Sequence, residues 1–420
     1  MTKITKEIGN RIKYYRKKMC LTQSELSEGI ISNSYLSKIE NGFVKPPDEI
    51  INLLCKKLKI DPVSEKSERM NKICNIWFQN LFEQNLEEMK KNFHQINSHH
   101  DLITDNNVLL LIDIHKLRYY ILLKDKKKAH EQYQYLKSHS KNLSGNQKYY
   151  WLKFRGYYFF YNLAYQKALE SFQEAKDYIN DVCHSQLKEK GSLYYMIALS
   201  ASHTNQSFFT FKYANKALKY YQKYYNLKKC AQCHILLGIT YLRINDIKNS
   251  LESYQSAQYI AEKTDDEELL SISVQNIGNL YSKINHSPKA LEYFLKSYEL
   301  RANKPKPHHI TPIASLMKEY YQIGDLRNAE KWMKTGLSLL SHIKTSHIYQ
   351  HEFDVYKHLI KGDNDALEEL ILNKIIPFLE SKGLHHQKFS YYKLLGEHYF
   401  SKRKYKLSAM YFNFAMEVNI

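Results

Sequence analysis

The sequence predicts an all-α protein in two parts: a small head of four short helices, then a long array of paired helices. Three observations predict it. Residues 21–42 hold two short, capped helices around a tight turn. From about residue 109 one helix-pair pattern recurs to the C-terminus. At 420 residues, 43% of them hydrophobic, the chain is too long for one small domain and can bury proper cores.

In the head, Ile8, Ile12 and Tyr15, with Leu21 just after, place an apolar stripe on a helix over about 5–19, with Lys and Arg on its other face. Thr22 followed by Glu25 is a capping box that opens a second helix; Leu26 and Ile30 face inward and Gly29 ends it. Ser32 or Asn33 caps a third helix whose Leu36 and Ile39 are buried, which leaves Asn33, Ser34, Tyr35 and Lys38 facing outward. Asn41-Gly42 turns the chain, and Pro46-Pro47 with Asp48 opens a fourth helix carrying Ile50, Ile51, Leu53 and Leu54. Such a helix pair is how a small domain presses a recognition helix into the DNA major groove. Asn and Ser can bond base edges, Tyr can meet a thymine methyl or a phosphate, and Lys can reach guanine acceptors. Arg11, Arg16, Lys17 and Lys45 are candidate phosphate contacts from charge alone. Asp61-Pro62 ends the head, which makes residues 1–62 a DNA-binding domain.

Residues 63–108 form a linker helix and the start of a bundle. Ile73, Ile76, Trp77, Leu81 and Phe82 make an apolar stripe that is expected to dock on the helices after it.

Residues 109–420 repeat one phrase, a helix ending in an aromatic, a polar turn, and a second helix opened by a small residue. Gly156 pairs with Ala168 to Phe172, Gly238 with Ser250 to Tyr254, and Gly278 with Ala290 to Phe294. Weaker copies hold Ala129, Ala214, Ala329, Ala366 and Gly396 to Ala409. This is the tetratricopeptide pattern, with about eight units roughly 36 to 46 residues apart instead of the usual 34. Small residues let two helices approach and aromatics fill the space between units, so a right-handed superhelix with a concave wall is expected. Such a wall accommodates an extended peptide. Gln275 and Asn279 project into the groove with Asn276 nearby, and Asn276 and Asn279 are the best candidates, because an amide both donates and accepts and can hold a peptide backbone of any sequence. Equivalent positions hold Lys153 and Tyr157, Lys318 and Tyr321, and Lys393 and Glu397; lysines suit a carboxylate.

Mean hydropathy of −0.57 and the lack of a long apolar run exclude a transmembrane helix. No export signal is apparent, so the cytoplasm is the expected location. The net charge of +19 suits a polyanionic partner, but residues 1–65 hold 12 Lys/Arg against 8 Asp/Glu, so most of the surplus lies outside the head. AT-rich coding, which also raises Tyr to 36, explains that surplus as well as a basic surface does. Six irregularly spaced cysteines read as reduced thiols. Cys230-Ala-Gln-Cys233-His234 has the spacing of haem attachment but falls inside a repeat helix, where packing is the expected role. The pairs His99-His100, His308-His309 and His385-His386 lack companion ligands. With no phosphate loop, H-E-x-x-H or credible carboxylate pair, no catalytic residue, metal or cofactor is expected.

The marks Leu21-Thr22-Gln23, Leu26, Ser37 and Ile39-Glu40-Asn41-Gly42 resemble the phage-repressor type of helix-turn-helix. That resemblance implies that Gln23 and Asn41 bond phosphate or sugar, and that a dimer reads two half-sites. The runs Lys148 to Tyr158, Tyr165 to Glu170, Gln206-Ser207 and Gln275 to Tyr281, behind such a head, resemble the peptide-sensing regulators grouped as Rap, NprR, PlcR, PrgX and Rgg, and NprR-like members over essentially the whole length. The resemblance implies a homodimer, or a tetramer with peptide, whose groove binds a short signalling peptide through Asn276 and Asn279. It further implies control of protease, stationary-phase and sporulation genes from a double-stranded DNA operator. A Rap-like role, sequestering a sporulation response regulator, and a phage lysogeny role of the AimR kind are the alternatives. Where Rap phosphatases place a Gln to position the hydrolytic water, alignment puts Asn106, one methylene shorter, so binding without hydrolysis is expected.

Overall fold

The structure, a computed structural model, describes all residues except 1–2, 61–64, 101–102, 104, 182–186, 303–305, 342–347, 382–383, 385–386 and 420. The Asp61-Pro62 boundary, Cys183 and the His385-His386 pair lie outside the described residues. Every described element is a helix or turn, and two compact units emerge: Met1–Asn162 with Glu170–Cys183, and Leu163–Leu169 with His184–Ile420.

The first unit opens with the head, α1 (Lys3–Lys18), α2 (Gln23–Ser27), α3 (Asn33–Glu40) and α4 (Asp48–Lys57). The capping box is present: Thr22 Oγ1 accepts from the Glu25 N–H at 3.1 Å, and the Glu25 carboxylate accepts from the Thr22 N–H at 2.6 Å. Ser32, not Asn33, caps α3 by accepting from the Tyr35 N–H. Ile8, Ile12, Leu26, Leu36, Ile39, Ile51 and Leu54 are buried as the periodicity requires, whereas Leu53 points outward. Then come α5 (Glu65–Glu83), α6 (Leu86–Ser98), α7 (Asn106–Leu122), α8 (Lys126–His139), α9 (Gly145–Tyr161) and α10 (Tyr165–Asp177), the last crossing the boundary between units. Trp77 of α5 is fully buried, stacked on Phe93 at 5.4 Å and tilted on Tyr119 at 6.0 Å, so the linker helix does dock; Ile76 of the expected stripe is instead exposed.

The head has no core of its own. Its buried side chains run on without a break into Met70, Cys74, Trp77, Met89, Ile96, Leu109 and Ile112. Tyr15 seals the join, its hydroxyl donating to the His100 carbonyl at 2.9 Å.

Deeper in this unit His115 is enclosed by Phe78, Tyr150 and Phe154, with ring centroids 4.1 to 4.9 Å away, and its Nδ1 hydrogen-bonds the Leu111 carbonyl at 2.7 Å. Burial pushes its pKa down to about 3, with the Lys153 ammonium adding to the effect. The unfolded imidazole titrates near 6.5, so between about pH 3 and 6.5 the unfolded chain binds more protons. Stability is therefore full above that window and falls as pH drops into it. Unfolding free energy should decline by about 1 kcal/mol from pH 6.5 to 5.5, and denaturant titrations of His115→Leu should lose that increment.

The second unit is a run of antiparallel hairpins: α11 (Leu187–His203) with α12 (Ser207–Lys223), α13 (Leu227–Arg243) with α14 (Ile247–Lys263), and α15 (Glu267–Lys283) with α16 (Ser287–Glu299). Next come α17 (Ile310–Gln322) with α18 (Leu326–Ser341), α19 (Ile348–Lys361) with α20 (Asn364–Leu370) and α21 (Ile376–Ser381), and α22 (Lys388–Ser401) with α23 (Tyr405–Asn419). Counting α7/α8 and α9/α10, the repeat region has eight hairpins among the described residues.

The sterics of the repeat are as the sequence implies. A Cβ added to Gly156, Gly238 or Gly278 would sit 2.4 to 2.6 Å from the Phe172, Tyr254 or Phe294 ring, so glycine lets each aromatic press against its partner helix where a larger residue would force the ring to shift. The hairpins are closed by a residue in the left-handed region at Lys124, Leu163, Asn205, Asn245, Asn285, Gly324, Gly362 and Arg403, 38 to 42 residues apart. In the last repeat the register differs from expectation by one residue: Ser408, not Ala409, makes the close approach, and its hydroxyl donates to the Gly396 carbonyl at 2.8 Å. Ser250 does the same to Gly238.

Candidate functional site

In the head, α3 presents Asn33, Ser34 and Lys38 to solvent, with Tyr35 half-buried at its root. Lys17, Asn41 and Lys45 are exposed around this face. Asn41 accepts from Lys13 Nζ at 3.1 Å, which brings in a cation that the sequence pattern does not single out.

Two expected phosphate contacts are elsewhere. Arg11 is buried, on the same stripe as Ile8 and Tyr15. Arg16 is buried too, and its guanidinium grips fully buried Glu40 with two bonds, Nε to Oε1 at 2.6 Å and Nη2 to Oε2 at 2.8 Å. Its third donor reaches the Leu21 carbonyl at 2.8 Å. The Glu40 carboxylate holds the Arg16 pKa above its usual value. Gln23 joins the same carboxylate, Nε2 to Oε2 at 2.8 Å, which leaves its carbonyl and one amide N–H outside this network. One carboxylate thus ties α1, α2 and α3 together and fixes the angle at which α3 is offered. Neither arginine is available to a phosphate.

In the second unit Asn276 and Asn279 line one cavity of about 350 Å³, together with Ile239, Leu242, Arg243, Tyr254 and Lys283. Asn279 is exposed; Asn276 is half-buried and donates to the Ile272 carbonyl at 2.9 Å, which leaves its oxygen for another partner. Gln275 is corrected: it is buried, and its amide donates to Ser315 Oγ at 2.9 Å, tying α15 to α17 without lining this cavity.

The remaining groove candidates already have partners. Lys153 is a residue of the first unit, buried over the Phe82 and Tyr149 rings at 5.4 and 5.8 Å; its place in an aromatic-rich helix turned it inward. Tyr157, in that same unit, is covered by the Arg118 guanidinium 4.0 Å from its ring centre. Lys318 is ion-paired with Glu352, and although burial alone would lower its pKa, that carboxylate and Tyr356 raise it. Tyr321 packs edge-on against Tyr356. Lys393 and Glu397 pair with each other at 3.5 Å on an exposed turn of helix.

Cys230 and Cys233 are buried in the α13/α14 hairpin, and burial pushes both thiols up, which keeps them neutral packing groups. No group of three or more His, Cys, Asp or Glu that could hold a metal ion occurs among the described residues. Asn106 opens α7 with its Oδ1 buried and without a hydrogen-bond partner.

A repressor-type helix-turn-helix head on a tetratricopeptide array defines the class. Residues 12–63 match the helix-turn-helix family. Over 399 residues, 93% of this chain and 98% of the relative, the sequence is 28% identical to the transcriptional activator NprA of Geobacillus stearothermophilus. Over 250 residues, 57% of this chain and 65% of the relative, it is 26% identical to response regulator aspartate phosphatase A of Bacillus subtilis. Two solved structures share the fold. A Rap protein complexed with competence and sporulation factor gives a TM-score of 0.72 at 19% identity, over 84% of this chain and 98% of that one. The apo form of the quorum sensor NprR from B. thuringiensis gives 0.67 at 18%, over 85% and 100%. The chain shares the fold of the NprR structure, a helix-turn-helix head followed by tetratricopeptide-like helical repeats. No described helix is long and apolar enough to cross a membrane.

Proposed function

We propose that this chain is a peptide-gated transcription regulator of the cytoplasm. Its head reads a double-stranded operator as one half of a dimer, and a short signalling peptide in the groove of the second unit alters how the heads are presented. The observation that carries the reading is the pairing, on one polypeptide, of an open recognition face at Asn33, Ser34 and Lys38 with a cavity walled by Asn276 and Asn279. NprA is by name a transcriptional activator, and a further solved relative is NprR in complex with its cognate peptide NprX, which supports both halves. Stationary-phase, protease and sporulation promoters are the proposed targets, and peptide the proposed trigger for tetramers.

The test is selection of bound duplexes from a random DNA pool by the full chain, with and without a random heptapeptide pool, while molecular mass is followed. Selected duplexes and mass that ignore peptide would defeat the proposal. Asn279→Ala should weaken peptide binding by about tenfold or more, the value of a lost amide clasp, with unchanged helix content; an unaltered dissociation constant by calorimetry would remove Asn279 from the site. Lys38→Ala should relax base preference at one operator position, costing about 1–3 kcal/mol on the best duplex. Equal loss on every duplex would make Lys38 a backbone contact.

Likeness to Rap proteins named as aspartate phosphatases favours a second reading, capture of a sporulation response regulator by the first unit. Asn106 is too short for the water-positioning role, so no hydrolysis is assigned. Co-migration of the peptide-free chain with a purified receiver domain tests it.

A further inference from the structure

The cavity at Asn276 and Asn279 carries two cations that the peptide reading does not use. Arg243 ends α13 and Lys283 ends α15, one repeat apart, and both line its wall. Each is anchored on a backbone carbonyl: Arg243 Nη1 donates to the Ser202 carbonyl at 2.8 Å and to Ser202 Oγ at 3.3 Å, and Lys283 Nζ donates to the Leu242 carbonyl. These bonds place positive charge at the C-terminal ends of α11 and α13, where the helix dipole favours it. They leave most of the guanidinium's five N–H donors and the ammonium's three for another partner.

Neither cation has a carboxylate partner among the described residues. The contrast with the other groove candidates is informative. Lys318 carries its own Glu352 and Lys393 its own Glu397. Glu319, on the neighbouring α17, accepts from Ser282 Oγ at 2.6 Å and is not in an ion pair. Apolar walls from Ile239, Leu242 and Tyr254 lower the local dielectric, so two like charges left without a counter-ion repel each other more strongly there than in open water.

We propose that Arg243 and Lys283 form an anion subsite that takes a carboxylate of the peptide, while Asn276 and Asn279 hold its backbone. This rests on the peptide-gated function proposed for the chain. The carboxylate is either an Asp or Glu side chain or the peptide's C-terminus; both present the same bidentate group to a guanidinium.

The test uses the full chain immobilised against a heptapeptide pool of random sequence, with retained peptides sequenced by mass. Two further pools carry a C-terminal amide, or replace every acidic residue with its amide. Retained peptides should share an acidic residue at one position if a side chain is bound, or vanish from the amidated pool if the terminus is bound. For a retained peptide, Lys283→Gln and Arg243→Gln should each weaken binding about tenfold, the loss of a charge-assisted bond. The charge-conserving Arg243→Lys should weaken it less, and separates lost charge from a misfolded α13. Equal retention from all three pools, or binding indifferent to both Gln variants, overturns the subsite and leaves the groove standing. Retention of no peptide from any pool overturns both.

Discussion

Glu40→Ala is expected to unfold the head and abolish operator binding. The substitution leaves the Arg16 guanidinium buried with only the Leu21 carbonyl to accept from it, and releases Gln23 from the start of α2. Breaking a buried pair by removing one partner costs about 3–5 kcal/mol, because a charge remains out of water without compensation. That is a large share of the roughly 5–15 kcal/mol that holds a domain folded. The head shares its core with α5, α6 and α7, so the loss should appear as an early thermal transition of the first unit as well as lost DNA binding. The double variant Arg16→Met/Glu40→Leu should be more stable than Glu40→Ala, since an apolar pair of similar volume leaves nothing uncompensated. A Glu40→Ala protein that melts like the parent would show that the pair contributes nothing.

Gly9→Ala should be nearly as damaging. A Cβ at this position would lie 1.9 Å from the Ile39 carbonyl oxygen and 2.9 Å from its carbon. Both are backbone atoms at the end of α3, so no side chain can swing aside, and α1 must move off α3. Alanine gains about 1 kcal/mol over glycine in helix propensity, but overpacking against rigid backbone costs about 3 kcal/mol or more. The clash wins. Denaturant unfolding should show the head destabilised, and a duplex bound by the parent should be bound weakly or at altered preference. The repeat glycines are a softer case, since their obstacles are aromatic rings that can tilt.

Much of the fold is legible in the sequence where the cause is local. The Thr22–Glu25 box and the Ser32 cap act over three residues, and both form. The glycine–aromatic phrase of the repeats acts over sixteen residues but recurs, and recurrence exposes it. Contacts between distant residues are not legible. Arg16 and Glu40 are 24 residues apart, and each alone looks like a surface charge. A signal exists: Arg11 and Arg16 fall on the same helical stripe as Ile8, Ile12 and Tyr15, and period places them inward unless charge is given more weight. Lys318 and Glu352 lie on different hairpins, so the pair that removes Lys318 from the free groove cations needs the fold. Ser408 against Ala409 is a one-residue choice between two small side chains, which sterics alone decides.

On the function proposed here, the continuous core under α1 sets how much latitude an operator is allowed. A reader on a floppy tether can stretch to half-sites at many separations, giving up affinity through the entropy of the tether. Here Tyr15, Trp77 and Ile112 weld the head to its bundle, so in the dimer proposed above the spacing of the two heads is set by folded protein and not by a tether. Each inserted base pair turns a half-site by about a tenth of a helical revolution. A promoter lengthened by five base pairs puts its second half-site on the far side of the duplex, and a full added turn restores its facing but not its distance.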